Sequence, residues 1–492
     1  MEQRYPRNSQ GWGPAAIARE RTHEYSHPLE REGASQPACC WVSLECSRLP
    51  VPRGSLGVVA QADRGKGQPQ PRCLRCRRRR RRSAGNPWPR GWCWARCSPA
   101  SCCCSTPTPS PRCTPAWPPR EPEPPTAPPP AGSASNGSGG CRPRRDIVFM
   151  KTHKTASSTL LNILFRFGQK HGLRFAFPNG RNDFDYPAFF ARSLVQDYRP
   201  GACFNIICNH MRFHYDEVRG LVPPNATFIT VLRDPARLFE SSFHYFGPVV
   251  PLTWKLSGGD KLAEFLRDPE RYYDPGGYNA HYLRNLLFFD LGYDSSLDPR
   301  SPQVQEHILE VERRFHLVLL QEYFDESLVL LKELLCWELE DVLYFKLNAR
   351  RDSPVPRLSG ELYRRATAWN MLDARLYRHF NASFWRKVEA FGRERMAREV
   401  AALRCANERM RRICIDGGQP VDAAAIQDEA MQPWQPLGAK SILGYNLKKS
   451  IGPRHAQLCR RMLTPEIQYL MDLGVNLWVT KLWKLIRDFL RW

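Results

Sequence analysis

The sequence predicts an α/β domain with a central, mostly parallel sheet flanked by helices, in residues 141–492. Residues 147–150 (IVFM) form an apolar run of strand length, followed by a polar turn and a helical pattern up to Gly168. Two later runs, ACFNIIC at 202–208 and FITVL at 228–232, are also apolar and end in polar residues. Continuously apolar strands are typical of parallel sheets that are covered on both faces.

Further elements complete this sheet. The run at 315–320 (FHLVLL) predicts another buried strand, and the amphipathic run 325–335 predicts its helix. Residues 342–347 predict an edge strand that carries Lys346. Residues 361–413 have a helical pattern with Arg and Glu on the polar face, which favours a solvated surface over the alternative of a site.

Residues 1–140 differ in composition from the remainder. Residues 1–145 contain 24 Lys and Arg against 9 Asp and Glu, so they supply most of the formal net charge of +23. Proline, glycine, serine and cysteine crowd this tail, and such a segment cannot bury enough apolar surface to fold. We therefore predict a disordered tail. The basic run 77–82 offers a nucleic-acid or nuclear-import patch as an alternative, but no aromatic or helical context supports it.

Cysteines and glycosylation motifs bear on the compartment. Twelve of the 18 cysteines lie at or before Cys141, and no CxxC pair has a partner at zinc spacing, so no metal site is predicted. Three N-x-[ST] acceptors, at Asn136, Asn225 and Asn381, are compatible with a secretory lumen. The later cysteines can be buried thiols or lumenal disulfides, and the sequence leaves both open: Cys203, Cys208, Cys336, Cys405, Cys414 and Cys459.

The turn after the first strand, KTHKTASST, predicts an anion site. The first amides of a helix have no partner within it, and the helix dipole favours negative charge there. Lys151, His153 and Lys154 add positive charge or hydrogen-bond donors. The glycine–lysine–hydroxyl order of an NTPase loop is missing, so a sulfate or phosphate ester is expected without the NTPase motif. A well-capped cationic helix start is the alternative. Hydroxyls follow the lysines at Thr155, Ser157, Ser158 and Thr159.

Two other segments supply polar residues to the same region. The strand at 202–208 delivers Asn209 and His210 to its carboxyl end, where ligands bind in open α/β sheets. The loop 177–187 contains Asp183 and Asp185, which are candidates for contact with substrate hydroxyls. Solvated turn residues are the alternative for the two aspartates, and a structural histidine is the alternative for His210.

KTHKTASST followed by LLNILFRFGQKH resembles the 5′-phosphosulfate loop of Golgi galactose 3-O-sulfotransferases. PNGRNDFDYP, NHMRFHYDEVRGLVP and VLRDPARLFESSFHYF extend the resemblance, which covers about residues 141–492. It implies a P-loop-like sulfotransferase fold and sulfuryl transfer from 3′-phosphoadenylyl sulfate (PAPS) to the 3-hydroxyl of galactose. The implied acceptors are galactosylceramide and related galactolipids, and the implied location is the Golgi membrane, with a lumenal catalytic domain behind one N-terminal span.

The resemblance also implies roles for the candidate residues. Lys154 stabilises charge on the bridging oxygen, Lys151 assists, and His210 removes the acceptor's proton, with His153 as the competing base. Asp183, Asp185 and Asn209 are assigned to the acceptor. No metal is required, since a sulfuryl group carries less negative charge than a phosphoryl group. The donor is assigned to Lys151, Thr152, Thr155, Ser157, Ser158 and Thr159 at the 5′-phosphate, and to Arg233 and Ser241 at the 3′-phosphate. A P-loop kinase or NTPase and a basic nucleic-acid binder remain as alternatives.

No run of 18 or more apolar residues occurs in the sequence as written, although the family has a membrane span. Residues 91–113 read one nucleotide out of frame can give GLVLGALFTSFLLLLYSYAVPPL, an apolar segment of spanning length. We therefore expect that much of residues 1–140 is a gene-model artefact over a real anchor and stem.

The C-terminal run from Val475 (VNLWVTKLWKLIRDFLRW) predicts a strongly amphipathic helix. Its apolar face carries tryptophans and its polar face is cationic. The pattern fits a helix that lies in a membrane interface. The alternative is that the same stripe packs on the sheet, which ordinary amphipathic helices do more often.

Overall fold

The computed structural model describes residues 141–350, 358–435 and 442–489, with side chains up to Ile486 in the last helix. Its sheet has five strands in the order β2–β3–β1–β4–β5, and every pairing is parallel, which confirms the predicted fold class. The strands are β1 (Ile147–Met150), β2 (Phe175–Ala176), β3 (Ile206–Ile207), β4 (Thr227–Leu232) and β5 (Leu317–Leu320).

Helices cover the sheet and form the C-terminal part of the described chain. They are α1 (Ser157–Lys170), α2 (Tyr215–Arg219), α3 (Pro235–Phe246), α4 (Lys261–Arg267), α5 (Pro269–Tyr272), α6 (Leu286–Asp290), α7 (Pro302–Arg314), α8 (Phe324–Leu335), α9 (Gly360–Trp369), α10 (Met371–Phe391), α11 (Arg393–Cys414), α12 (Pro453–Leu463), α13 (Glu466–Asp472) and α14 (Trp478–Phe489).

Strand β1 lies at the centre of the sheet. It pairs with β3 on one side and with β4 on the other, and all four of its side chains are fully buried. Because the strands are parallel, the segments that follow β1, β3 and β4 all emerge at the same edge of the sheet. In parallel sheets such an edge is where a ligand crevice forms.

Strand β3 is shorter than the sequence predicts. Only Ile206 and Ile207 join the ladder, although the apolar run extends over 202–208. Before the strand, the Ala202 amide donates to the Arg199 carbonyl at 2.9 Å, and the Phe204 amide donates to the Leu221 carbonyl at 2.8 Å. These amides are bonded to turn and loop carbonyls, so they are not available to the sheet.

The edge strand predicted at 342–347 is wrong. Residues 339–342 form a 3₁₀ turn, and the amides that follow donate to side chains instead of to β5. The Tyr344 amide donates to Asn407 Oδ1 at 2.9 Å, and the Leu347 amide donates to Thr159 Oγ1 at 3.2 Å. The segment therefore runs past the start of α1 and brings Lys346 towards the ligand crevice.

Two disulfides tie distant parts of the described chain together. Cys141 is bonded to Cys336, just after α8, and Cys414 at the end of α11 is bonded to Cys459 in α12. The three remaining cysteines among the described residues are free: Cys203 and Cys405 are exposed, and Cys208 is buried. The sequence left disulfides and buried thiols open as alternatives, and the structure contains both.

Helix α14 does not bury the apolar stripe that the sequence predicts. Val475 and Leu477, just before the helix, are buried, whereas the apolar side chains from Trp478 to Ile486 are largely exposed. The packing interpretation is therefore wrong for the helix itself. None of the described helices is long and apolar enough to cross a bilayer.

Candidate active site

A cavity of about 1260 Å³ opens beyond the carboxyl ends of β1, β3 and β4. Three of the predicted site residues, Thr152, Asp185 and Asn209, do not line it. The other predicted donor, base and acceptor residues do: Lys151, His153, Lys154, Thr155, Ser157, Ser158, Thr159, Asp183, His210, Arg233 and Ser241.

The loop between β1 and α1 turns sharply without glycine. Lys154 (φ 58°) and Ala156 (φ 61°) both have left-handed backbone conformations, which cost about 1–3 kcal/mol each in a residue with a side chain. Such strain persists only where surrounding contacts fix the loop, and it is concentrated at functional sites. Ala156 precedes α1 and provides no side-chain cap for the amides of its first turn.

Hydroxyl groups supply the contacts that fix the loop. Thr155 Oγ1 and Ser157 Oγ donate to the Thr152 carbonyl at 3.2 and 2.7 Å. Thr152 Oγ1 donates to the Val231 carbonyl on β4 and is fully buried. The sequence assigned all three hydroxyls to the sulfate donor. In the structure the Thr152 hydroxyl ties the loop to β4, and the other two hydroxyls close the loop on itself.

Lys151 is buried at the base of the loop. Its Nζ lies 2.7 and 2.8 Å from the two carboxylate oxygens of Glu466, the first residue of α13. Ser158 Oγ donates to the same carboxylate at 2.9 Å. Glu466 thus neutralises Lys151 and anchors the start of α1. Sequence reasoning missed it, since no local pattern marks a partner 315 residues away.

Lys154 has a different environment. Its Nζ lies 3.6 Å from the centre of the Tyr245 ring, within range of a cation–π contact. Burial, and then the positive charges of Arg233 and Arg350, together lower its pKa to about 7. The ammonium is therefore poised to lose or keep its proton near neutral pH, and an anion in the cavity would favour the charged form.

Arg233 follows β4 and contacts the same loop. Its Nη1 donates to the Lys154 carbonyl at 2.9 Å, and burial lowers its pKa. Its Nε is buried and has no hydrogen-bond partner among the described residues. A buried guanidinium N–H without a partner carries a desolvation cost that an anion can remove. Ser241 lies two turns into α3 on the same cavity wall, and other cations line it at Arg237, Lys346, Arg350 and Arg404.

His153 is oriented by a buried carboxylate that the sequence did not predict. Asp290, at the end of α6, is fully buried and lies 3.0 Å from His153 Nδ1. It also accepts from the His153 amide at 2.8 Å and from the Tyr186 hydroxyl at 2.8 Å. Burial and this carboxylate raise the pKa of Tyr186 well above its usual range. Because the carboxylate accepts, His153 carries its proton on Nδ1, and Nε2 is the basic atom.

His210 stacks on His153, with ring centres 4.0 Å apart and nearly parallel. Its Nδ1 lies 3.0 Å from the Lys151 carbonyl, so that nitrogen carries the proton. Burial, and then the charges of His153 and Lys151, hold the pKa of His210 well below its usual range. It is therefore a neutral imidazole at physiological pH. The cavity thus contains two adjacent imidazoles, of which only His153 has a carboxylate partner.

The three predicted acceptor residues are separated by the structure. Asp183 lines the cavity and accepts from the Tyr186 amide at 3.1 Å, and burial raises its pKa. Asp185 is exposed and lies 3.4 Å from Arg181 in an ion pair. Asn209 is fully buried, and its Nδ2 donates to the Asn182 carbonyl at 3.1 Å. Asp183 alone of the three is placed to contact a ligand in the cavity.

The glycosylation motifs also differ in their surroundings. Asn225 is exposed in the turn before β4. Asn381 lies in the middle of α10, with its Oδ1 buried and Ser383 buried beside it. Asn136 lies outside the described residues. Of the two described motifs, Asn225 is therefore the accessible one, whereas the amide oxygen of Asn381 is buried.

Comparison with known proteins shows the family to which the chain belongs. A family model described as galactose-3-O-sulfotransferase matches residues 105–477, a match that begins before residue 141 and ends just before α14. The chain is 90% identical to a galactosylceramide sulfotransferase of Bos taurus over 380 residues, which are 77% of this chain and 88% of that protein. Its identity to the Homo sapiens galactosylceramide sulfotransferase is 90% over 370 residues, 75% of this chain and 88% of the relative. It is 42% identical to galactose-3-O-sulfotransferase 2 of Sus scrofa over 333 residues, 66% of this chain and 83% of the relative.

Proposed function

We propose, since the chain belongs to the galactose-3-O-sulfotransferase family, that it transfers a sulfuryl group from PAPS to the 3-hydroxyl of galactose in galactosylceramide and related galactolipids, giving sulfatide. The observation that carries this proposal is the meeting, in one cavity, of the cationic loop after β1, Arg233 and two oriented histidines. The kinase and nucleic-acid alternatives are not favoured, because neither agrees with the family match.

The separated cationic groups of the cavity support a nucleotide donor with two anionic groups. The uncapped amides at the start of α1, with Lys154, would hold the 5′-phosphosulfate, and Arg233 with Ser241 would hold the 3′-phosphate. The partnerless Nε of Arg233 supports this assignment. When bound, PAPS supplies the activated sulfuryl group. The proposed contribution of Lys154 is to place an ammonium charge where the leaving oxygen becomes negative.

Nucleotide binding should depend on Arg233 and Ser241. Arg233→Ala should weaken binding of the desulfated nucleotide by about 1.5–3 kcal/mol, the usual worth of a hydrogen bond to a charged group, and Ser241→Ala by less. Isothermal calorimetry measures both. Arg300→Ala, a surface variant outside the cavity, is the control. Unchanged affinity in both cavity variants would remove the 3′-phosphate assignment.

The affinity should also depend on pH through Lys154. Its pKa of about 7 in the free protein means that binding an anion above pH 7 requires proton uptake, so affinity should fall as pH rises, by up to about tenfold per unit. Arg350→Gln removes one of the charges that lower this pKa, so the midpoint of the fall should move to higher pH. Calorimetry from pH 6 to 9 tests this, and an affinity independent of pH in the parent protein would contradict it.

Both histidines are proposed for proton removal, and their contacts favour His153. Its Nε2 would accept the proton of the attacking hydroxyl, and the buried Asp290 carboxylate would stabilise the imidazolium that results. His210, expected from the sequence as the first candidate, has only a carbonyl as partner, and its burial opposes a positive charge. Asp183 would accept hydrogen bonds from hydroxyls of the sugar.

We also propose a Golgi membrane location with the catalytic domain in the lumen. The two disulfides and the exposed Asn225 motif support an oxidising secretory compartment. The tail and the expected type II anchor fall in residues 1–140, outside the described residues.

A transfer assay tests the proposed function. The full chain is incubated with PAPS that carries labelled sulfate, and with galactosylceramide, glucosylceramide or a soluble galactoside. Label should enter the galactosides and not glucosylceramide, whose sugar differs in configuration at one carbon. Binding of the nucleotide without label in any galactoside would overturn the acceptor assignment.

A further inference from the structure

Helix α14 exposes a row of large apolar side chains. Leu485 is 67% exposed, Trp478 59% and Trp483 51%. Together with Leu482 and Ile486 they occupy one broad arc of the helix, which we call the α14 face. Soluble surfaces seldom keep so many large apolar groups together, and a contiguous patch of this kind marks an interaction site.

The opposite arc of α14 carries exposed lysines at Lys481 and Lys484. A helix with tryptophans and leucines on one side and cations on the other is the type that lies in a bilayer interface. The indole rings suit the boundary between headgroups and acyl chains, and the ammonium groups complement anionic lipid. This arrangement of apolar and cationic side chains favours a lipid surface as the partner of α14 over an apolar groove on another protein.

The helix also begins at the edge of the cavity. The Val479 and Thr480 amides donate to the Gly180 carbonyl at 3.0 and 3.3 Å, and Thr480 lines the cavity together with Asp183. Gly180 has φ +79°, and a Cβ there would lie 3.1 Å from the Trp478 indole nitrogen. This close approach requires glycine and fixes α14 against the side of the cavity where Asp183 lies.

We propose that the α14 face docks on a membrane surface and holds the cavity mouth at the level of the lipid headgroups. The family match ends at Leu477, so this surface lies outside the part of the chain that the family model matches. The consequence for galactolipid delivery rests on the proposed function, whereas the membrane contact does not. A glycolipid could then present its sugar to Asp183 and the histidines while its acyl chains stay in the bilayer.

Hydrogen exchange of the full chain tests the contact locally, whatever residues 1–140 do. Vesicles with about 30% phosphatidylserine in phosphatidylcholine should slow amide exchange in peptides covering 478–486 by roughly fivefold or more, and pure phosphatidylcholine vesicles should have a smaller effect. The double variant Leu485→Gln/Ile486→Gln should lose this protection without a change in melting temperature, since both residues are exposed. Trp254→Ser, at an equally exposed tryptophan away from the cavity, should retain it.

Activity supplies the second measurement. The double variant should lose about tenfold in kcat/KM on galactosylceramide in anionic vesicles and keep its activity on a soluble galactoside. Unchanged exchange of 478–486 on adding vesicles would overturn the docking proposal. Protection that rises with protein concentration in the absence of vesicles would overturn it too, in favour of a second copy of the chain. Protection by vesicles in a protein that sulfates no galactoside would support docking and refute the proposed function alone.

Discussion

Replacing Lys154 by alanine should lower kcat by about 10²–10³-fold and leave the melting temperature almost unchanged. The Nζ contacts the face of Tyr245, whereas the hydroxyl groups that hold the loop together and tie it to β4 belong to Thr152, Thr155 and Ser157. Alanine retains the Lys154 carbonyl that Arg233 binds, and it has the same left-handed backbone cost. The lost charge should therefore affect the transition state and not the fold.

Lys151→Ala is the matched comparison. It leaves the Glu466 carboxylate buried without its cation, and breaking a buried pair costs about 3–5 kcal/mol. We expect this variant to lose stability as well as rate. Initial rates at saturating substrates and thermal melts separate the two effects. A Lys154→Ala enzyme that retains more than about a tenth of the parent kcat would lack the proposed electrostatic role.

His153→Ala should lower kcat by about 10²–10⁴-fold, the range for removal of a general base, and more than His210→Ala does. Asp290→Asn should also lower kcat, because an amide cannot stabilise the imidazolium as a carboxylate does. Since His153 lies inside the loop, its loss should weaken nucleotide binding too, whereas His210→Ala should leave nucleotide affinity intact. Melting temperatures of all three variants control for folding.

If His210→Ala alone abolishes turnover, the roles are the reverse of those proposed here. Tyr186→Phe removes one hydrogen bond to Asp290 and should change kcat only slightly.

The parts of the fold that the sequence predicted are those with a local signal. Strands β1 and β4 are continuous apolar runs, and each precedes a helix pattern in the chain, so their place in a parallel sheet could be inferred. The run at 342–347 has the same apolar character, yet its amides bond to Asn407 and Thr159. Nothing in the local pattern reveals such a distant partner for a backbone group.

The candidate site likewise contains residues that the sequence predicted and residues that it did not. Lys154, His210 and Arg233 directly follow predicted strands, so their arrival at one edge could be predicted. Asp290 lies at a helix end, 137 residues from His153, and Glu466 lies at a helix start, 315 residues from Lys151. No sequence motif marks either residue. The loop hydroxyls can be identified in the sequence, but only the structure shows that several of them bond to loop and strand carbonyls.

The bond between Lys151 and Glu466 also bears on when the protein becomes active during its synthesis. The loop after β1 leaves the ribosome early, but three of its supports come from the last part of the described chain: Glu466 holds Lys151, the Arg461 carbonyl accepts from Asn162, and Tyr469 donates to Gln169. Domains fold as units and the N-terminal part is made first. During translation the loop and α1 should therefore lack these contacts until residues 461–469 have been made, and we expect any sulfuryl transfer to begin only after those residues have docked on α1.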